Sequence, residues 1–130
     1  MKLIGIGTDI VELERFAAHA KALPAGPASR YLTESEMAEA LSRRNAAAEY
    51  LASRFAAKEA VMKSLGCGMD RISFRDIEIA SAPDGRPFVR LTGRAGERAS
   101  EISAAAVMIS ISHGKESAVA FAAAVAEDAL

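Results

Sequence analysis

Apolar residues recur with two different periods along the chain, and the two periods predict strands and helices. The N-terminal segment KLIGIG is typical of a short buried strand. After it, Ile10, Leu13, Phe16 and Ala20 change to helical spacing, so a helix is predicted to follow the strand directly. Asp9 stands where one pattern gives way to the other.

Two further helices are predicted in the middle of the chain. The segment LPAGPAS, with two prolines and a glycine, is typical of a loop. Thr33 and Glu36 then have the spacing of a capping box, which predicts a helix that begins near Glu34. The next helix is expected over about residues 47–65, and the two glycines of GCGM end it.

The C-terminal half alternates between strands and turns. ISFRDIEIAS predicts a strand with a bulge, and the Pro-Asp-Gly turn makes residues 76–92 a β-hairpin. RAGERASEISAA predicts a short amphipathic helix, and residues 107–125 predict a second hairpin around a polar turn at 113–116. We therefore expect an α+β fold, one domain over residues 1–130, with an antiparallel sheet packed against helices.

Composition excludes several classes of function. The chain has 130 residues and a net charge of −1, so it lacks the basic field with which proteins bind nucleic acids non-specifically. Cys67 is the only cysteine, which rules out an intramolecular disulfide and favours a reducing, cytoplasmic setting. The apolar run at the N-terminus is too short for a signal peptide or a membrane span.

Two interpretations of Asp9 remain open at this point. With Glu12 three residues later, Asp9 could cap the predicted first helix. Alternatively its carboxylate could hold a metal ion, in a place where Gly5 and Gly7 let the backbone approach a ligand.

The helix that contains RFAAKEAVMKSLG carries charges in an unexpected place. Arg54 and Lys58 project into the same sector as Leu51 and Leu65, where a core-facing stripe is expected. The two cations could extend past their apolar neighbours to water, with Glu59 and Lys63 as an ordinary ion pair on the helix. A bound polyanion, of which phosphate is the obvious example, would also explain them.

His113 lies in the polar turn of the last hairpin. It is either a surface residue of a tight turn or, with Ser112 nearby, a donor to phosphate. Nothing around it resembles the nucleophile elbow of a triad hydrolase.

Four segments of this chain together resemble the 4'-phosphopantetheinyl transferase family, in its small stand-alone branch of holo-[acyl-carrier-protein] synthases. The family pairs Gly-x-Asp with a later Phe-x-x-Lys-Glu-Ala-x-x-x-Lys, and this chain has Gly7-Thr8-Asp9 and then Phe55 to Ala60 with Lys63. DGRPFVRLTG and ISISHGKESAVAF extend the resemblance over nearly the whole chain.

The resemblance implies an enzyme that moves the 4'-phosphopantetheine arm of coenzyme A to a serine of apo acyl carrier protein in fatty acid biosynthesis. It implies a homotrimer with active sites at the subunit interfaces. It also implies Mg²⁺ on Asp9 and Glu59, with Glu59 and Lys63 as the catalytic residues. Coenzyme A is expected to contact Lys58, Lys63, Gly85, Arg86, Pro87, Ser112 and His113, and the carrier protein Arg15 and Arg54.

Two departures from the family pattern concern, in turn, the role of the 113–117 turn and the choice of carrier. Ser117 replaces an aromatic residue that the family usually has in the last turn, and the first helix has few cations for carrier docking beyond Arg15. The carrier could thus belong to a polyketide or peptide synthase. The chain could also be a non-catalytic coenzyme A-binding module or a purely structural trimer, although two carboxylates beside a polyanion argue against the binding module.

Overall fold

The computed structural model describes residues 1–128, which form five strands and four α-helices with short 3-10 turns between them. In chain order the elements are β1 (Lys2–Glu12), α1 (Ala17–Ala22), α2 (Glu34–Ser42), α3 (Ala47–Leu65), β2 (Ile77–Ser81), β3 (Pro87–Leu91), α4 (Gly93–Glu101), β4 (Ala106–His113) and β5 (Ser117–Ala126). The predicted start of α2, the predicted range of α3 and the presence of both hairpins are confirmed.

Antiparallel pairing organises both sheets. The larger sheet has the order β1-β5-β4, so the first and last strands of the chain lie side by side. The β2-β3 hairpin forms a separate two-stranded sheet. The expected α+β fold with antiparallel sheet and packed helices is therefore confirmed.

Helix α3 is the centre of the molecule. Thirteen of its 19 residues are buried, so no single stripe of α3 faces the core. It packs on the inner face of the larger sheet, to which β5 contributes a row of buried alanines: Ala118, Ala120, Ala122 and Ala124. Small side chains on both sides let helix and sheet approach closely.

Gly5 and Gly7 make this close approach possible on β1. A Cβ atom on Gly7 would overlap the Ala60 carbonyl oxygen of α3 and lie 2.7 Å from Lys63 Cβ. A Cβ on Gly5 would likewise overlap the carbonyl oxygen of Ser64. The two glycines therefore admit helix α3, and the prediction that they admit a ligand is wrong.

The first strand is longer than its hydrophobic pattern predicts. It continues to Glu12, and Asp9 pairs with Ala120 in the middle of the ladder. Ile10 is 68% exposed on the outer face of the sheet. It therefore belongs to the strand, and the prediction of a helix that includes Ile10 is wrong. The interpretation of Asp9 as a helix cap is therefore wrong, because pairing with β5 along the whole of β1 overrides the local pattern.

Two shorter segments also differ from prediction. Residues Phe74–Asp76 form a 3-10 turn capped by Ser73, so the strand expected from residue 72 begins only at Ile77. The loop at LPAGPAS contains a short 3-10 turn, Pro27–Arg30.

The outer face of the larger sheet is apolar and exposed. Ile6 and Ile10 of β1, Phe121 of β5 and Met108 of β4 are between 47% and 68% exposed. Large apolar side chains clustered in this way mark an interaction surface. Within residues 1–128, no helix is both long enough and apolar enough to cross a membrane.

Candidate active site

The packing of β1 on α3 brings Asp9, Glu59 and Lys63 together. Asp9 lies on the inner face of β1 with a side chain that is 19% exposed. Lys63 extends from α3 to this strand, where its Nζ donates to the Thr8 carbonyl oxygen at 2.8 Å and lies 3.6 Å from Asp9 Oδ1. Within residues 1–128, Glu59 and Lys63 do not form the ion pair that their spacing predicts, because the Lys63 side chain extends to β1.

Glu59 and Asp9 influence each other electrostatically. Burial raises the pKa of the Glu59 carboxyl, and the negative charge of Asp9 raises it further, whereas Lys63 and Arg15 oppose the shift. Two carboxylates in one partly buried place repel each other unless a cation lies between them. The arrangement therefore favours a bound cation.

Asp9 and Glu59 are ligands of the type that Mg²⁺ takes. Mg²⁺ in phosphate-handling sites takes one or two carboxylates and completes its shell with water and substrate phosphate. Within the described part of the chain, no group of three or more His, Cys, Asp or Glu side chains could hold a metal by itself. Two carboxylates thus suit a metal that is shared with a phosphorylated substrate.

The raised pKa of Glu59 predicts a specific dependence of stability on pH. In the cation-free protein, the ionised form of Glu59 is disfavoured by folding. The free energy of unfolding should therefore fall as the pH rises from the ordinary glutamate range through the raised pKa of Glu59, and that loss should then persist. Glu59→Gln lacks this ionisable group. At pH values above the raised pKa of Glu59, denaturant unfolding with a chelator present should therefore give the variant a larger free energy of unfolding than wild type.

The matched control is the same titration with saturating Mg²⁺. A cation that binds only the native wild type stabilises it and not the variant, so the order of stability should reverse. If the cation-free variant were no more stable than wild type at neutral pH, neither burial nor the charge of Asp9 would disfavour the ionised form of Glu59.

A shallow cavity opens beside Glu59 and Lys63. It has a volume of about 460 Å³ and is lined by Glu59, Met62, Lys63 and the segment from Gly66 to Met69. Gly66 takes a left-handed conformation, with φ of 66°, at the end of α3, which turns the chain back to form the wall. A ligand in this cavity would contact Glu59 and Lys63 from the solvent side.

Lys58 is not placed to bind phosphate. Its side chain is completely buried, and Nζ donates to the Tyr31 carbonyl at 2.5 Å, to Glu36 Oε1 at 2.6 Å and to the Phe74 carbonyl at 3.2 Å. These three bonds use every donor of the ammonium group. Burial lowers the pKa of Lys58, an effect that Glu36 opposes. The expected contact of Lys58 with coenzyme A is therefore corrected to a structural ion pair.

Glu36 completes that network. Its Oε1 accepts from the Thr33 amide and its Oε2 from the Ile79 amide, each at 2.8 Å. The capping-box glutamate of α2 thus also joins α3 to β2. The sequence indicated the capping box but gave no sign of the buried partner.

A second cavity is lined by other residues that the sequence analysis named as candidates. About 250 Å³ in volume, it is lined in part by Arg54, Gly85, Pro87 and His113. Arg54 was expected to face a carrier protein, yet it lies with the residues expected to contact coenzyme A. Its Nε is buried and has no hydrogen-bond partner within residues 1–128.

Arg43 and Tyr50 also line this second cavity, and sequence reasoning did not assign them a role. Arg43 belongs to a local excess of positive charge over residues 43–63, and Tyr50 precedes Arg54 by one helical turn. That charge and that spacing are the signals by which the sequence could have found them. The two cavities share no lining residue.

The remaining candidates lie outside both cavities. Arg86 is exposed and lies 3.8 Å from Asp84, and Ser112 is exposed near the end of β4. Arg15 lies over the rings of Phe16 and Phe55, at 5.3 and 4.8 Å from their centroids. Since the charge of Arg15 lowers the pKa of Glu59, its guanidinium is on the carboxylate side of the molecule.

Comparison with known proteins gives one consistent result. The sequence model of the 4'-phosphopantetheinyl transferase superfamily matches residues 5–122. A holo-[acyl-carrier-protein] synthase of Clostridium novyi is 42% identical over 120 residues, which are 92% of this chain and 86% of the relative.

Solved structures agree with that match. A holo-[acyl-carrier-protein] synthase from Neisseria meningitidis has a TM-score of 0.85 at 35% identity and covers 95% of this chain and 98% of its own. A synthase from Bacillus anthracis, solved in complex with CoA (3',5'-ADP), has a TM-score of 0.78 at 34% identity over 98% of this chain and 100% of the other.

Proposed function

The chain belongs to the 4'-phosphopantetheinyl transferase superfamily, and on that premise we propose that it acts as a holo-[acyl-carrier-protein] synthase. It transfers the 4'-phosphopantetheine group of coenzyme A to a serine of apo acyl carrier protein and releases adenosine 3',5'-bisphosphate. Its setting is fatty acid biosynthesis in the cytoplasm. The observation that carries this proposal is the convergence of Asp9, Glu59 and Lys63 where β1 packs on α3.

Asp9 and Glu59 are the residues that would hold Mg²⁺. When bound, the ion would neutralise charge that develops on the transferred phosphoryl group and on the leaving phosphate. Lys63 would contribute a further positive charge to the pyrophosphate, because its side chain is more than half exposed at the mouth of the site.

The attacking serine must lose its hydroxyl proton, and we assign Glu59 as the acceptor. Glu59 lines the cavity that opens to solvent on this side, so its carboxylate can be reached by the hydroxyl of a carrier serine. The same residue thus serves the metal and the proton.

The nucleotide end of coenzyme A is assigned to the second cavity and its rim. Gly85, Pro87 and His113 line that cavity, and Arg86 and Ser112 lie next to them in sequence. We also assign Arg54 to this group. It would bind an anionic group of coenzyme A, and it would not dock the carrier protein. Arg15, on the Glu59 side, remains the docking residue for the carrier, whose acidic surface it would steer towards the site.

The separation of the two cavities supports an active site completed by a second subunit. One subunit would supply the carboxylates and its neighbour the nucleotide-binding cavity. We propose that the assembly is the homotrimer that the family resemblance implies. The exposed apolar outer face of the larger sheet, with Ile6, Ile10 and Phe121, is available to bury in such an assembly. Sedimentation equilibrium that finds only monomers at assay concentrations would remove this part of the proposal.

The reaction is tested by its small product. Purified protein with coenzyme A, Mg²⁺ and apo acyl carrier protein should release adenosine 3',5'-bisphosphate, detected by anion-exchange chromatography. The release should stop with a chelator and should not occur with a carrier whose modified serine is replaced by alanine. If the nucleotide appears at the same rate without any carrier, the protein hydrolyses coenzyme A and the proposed transfer is wrong.

A further inference from the structure

We propose that Tyr50 is a positioning residue that holds Arg43 and Arg54 together and thereby sets the recognition of the 3'-phosphate of coenzyme A. This inference rests on the proposed function. It assigns a role to a residue that does not itself need to touch the substrate.

The geometry around Tyr50 is specific. The guanidinium carbon of Arg54 lies over the Tyr50 ring at 4.6 Å from its centroid, and that of Arg43 at 5.0 Å. Tyr50 is only 5% exposed, so its ring has few other positions to adopt. A buried aromatic ring is therefore shared by two arginines.

The Tyr50 ring lowers the free-energy cost of holding the two arginines close together. Two guanidinium groups close together repel each other, and long arginine side chains lose rotamer freedom when they are held in one place. The negative face of an aromatic ring attracts each cation and offsets part of that repulsion. Glu39 adds to this on one side, where its Oε1 accepts from Arg43 Nε at 2.7 Å.

Arg54 has an unused donor in this arrangement. Its Nε is buried, and within the described residues it has no hydrogen-bond partner. A buried donor without an acceptor costs free energy, so the site is completed by a ligand that accepts hydrogen bonds. Arginine side chains suit phosphate oxygens in particular, because their planar fork of donors matches the geometry of that anion.

The chemistry of coenzyme A identifies which phosphate this is. Its pyrophosphate is assigned to Asp9, Glu59 and Lys63, and none of these three residues lines the cavity that Tyr50 lines. The remaining anionic group is the phosphomonoester on the ribose. His113, on the wall of the same cavity, supplies one further donor.

The test uses Tyr50→Leu with two substrates, coenzyme A and 3'-dephospho-coenzyme A. Without the ring the arginines lose their support, so KM for coenzyme A should rise about tenfold while kcat changes little. With dephospho-coenzyme A, the same variant should have nearly the KM of wild type. Tyr50→Phe keeps the ring and should restore the preference for coenzyme A.

The outcomes separate this inference from a role in stability and from the proposed function. If Tyr50→Leu loses activity equally with both substrates, Tyr50 only supports the fold, and the inference is overturned. If instead KM rises for the carrier and not for coenzyme A, Arg54 docks the carrier and the inference is likewise wrong. Tyr50→Met serves the same comparison if the leucine variant does not fold. Wild-type protein that transfers no phosphopantetheine would overturn the proposed function itself.

Discussion

Glu59→Gln is expected to lower the rate of phosphopantetheine transfer by about a thousandfold or more. The substitution removes one of two carboxylates at the proposed magnesium site and, in the same step, the acceptor of the serine proton. Glutamine has nearly the same volume, so the partly buried position on α3 should remain filled. Single-turnover assays with excess enzyme would measure the loss directly.

The control for this variant is an exposed glutamate outside both cavities. Glu34 is exposed in the first turn of α2, and Glu34→Gln should transfer at close to the wild-type rate. Circular dichroism and sedimentation should show both variants folded and in the same oligomeric state. Retained activity in Glu59→Gln would exclude Glu59 from both of its proposed roles.

Lys58→Met is expected to destabilise the protein by about 3–5 kcal/mol, because it leaves Glu36 buried without its cation. The two residues are 0% and 2% exposed, so water cannot replace the lost partner. Denaturant unfolding followed by circular dichroism would measure the change. The double variant Lys58→Met/Glu36→Leu should recover part of the loss, since it removes both charges together.

Lys63→Met is the matched control, because Lys63 is a lysine of the same helix but is exposed. It should leave stability within about 1 kcal/mol of wild type and raise KM for coenzyme A. If Lys58→Met were as stable as wild type and raised KM for coenzyme A, Lys58 would be a phosphate ligand after all.

Local sequence patterns predicted most of the secondary structure. The capping box at Thr33 and the glycine at the end of α3 specify helix ends through hydrogen bonds and conformations made within a few residues. The hairpin of β2 and β3 follows in the same way from its turn. Where a segment's structure depends on a distant partner, prediction failed. β1 continues past Asp9 because β5, more than 100 residues later, pairs with it.

The candidate site shows the same division between local and distant information. The residue types of Asp9, Glu59 and Lys63 are enough to suggest metal and phosphate chemistry, but their meeting depends on Gly7 admitting α3. Lys58 was misjudged because sequence spacing gives the direction of a side chain and not its neighbours. Its partner Glu36 comes from another helix, and its two remaining acceptors are backbone carbonyls.

Intact-mass spectrometry of the carrier protein tests the central claim most directly. After incubation with this protein, coenzyme A and Mg²⁺, apo acyl carrier protein should gain the mass of one phosphopantetheine group, and a carrier with alanine at the modified serine should gain nothing. Carriers of fatty acid, polyketide and peptide synthases tested side by side would show which of them is preferred. If none of these carriers gained the group, while Mg²⁺ was present and the protein was folded, the assignment as a phosphopantetheinyl transferase of carrier proteins would be contradicted.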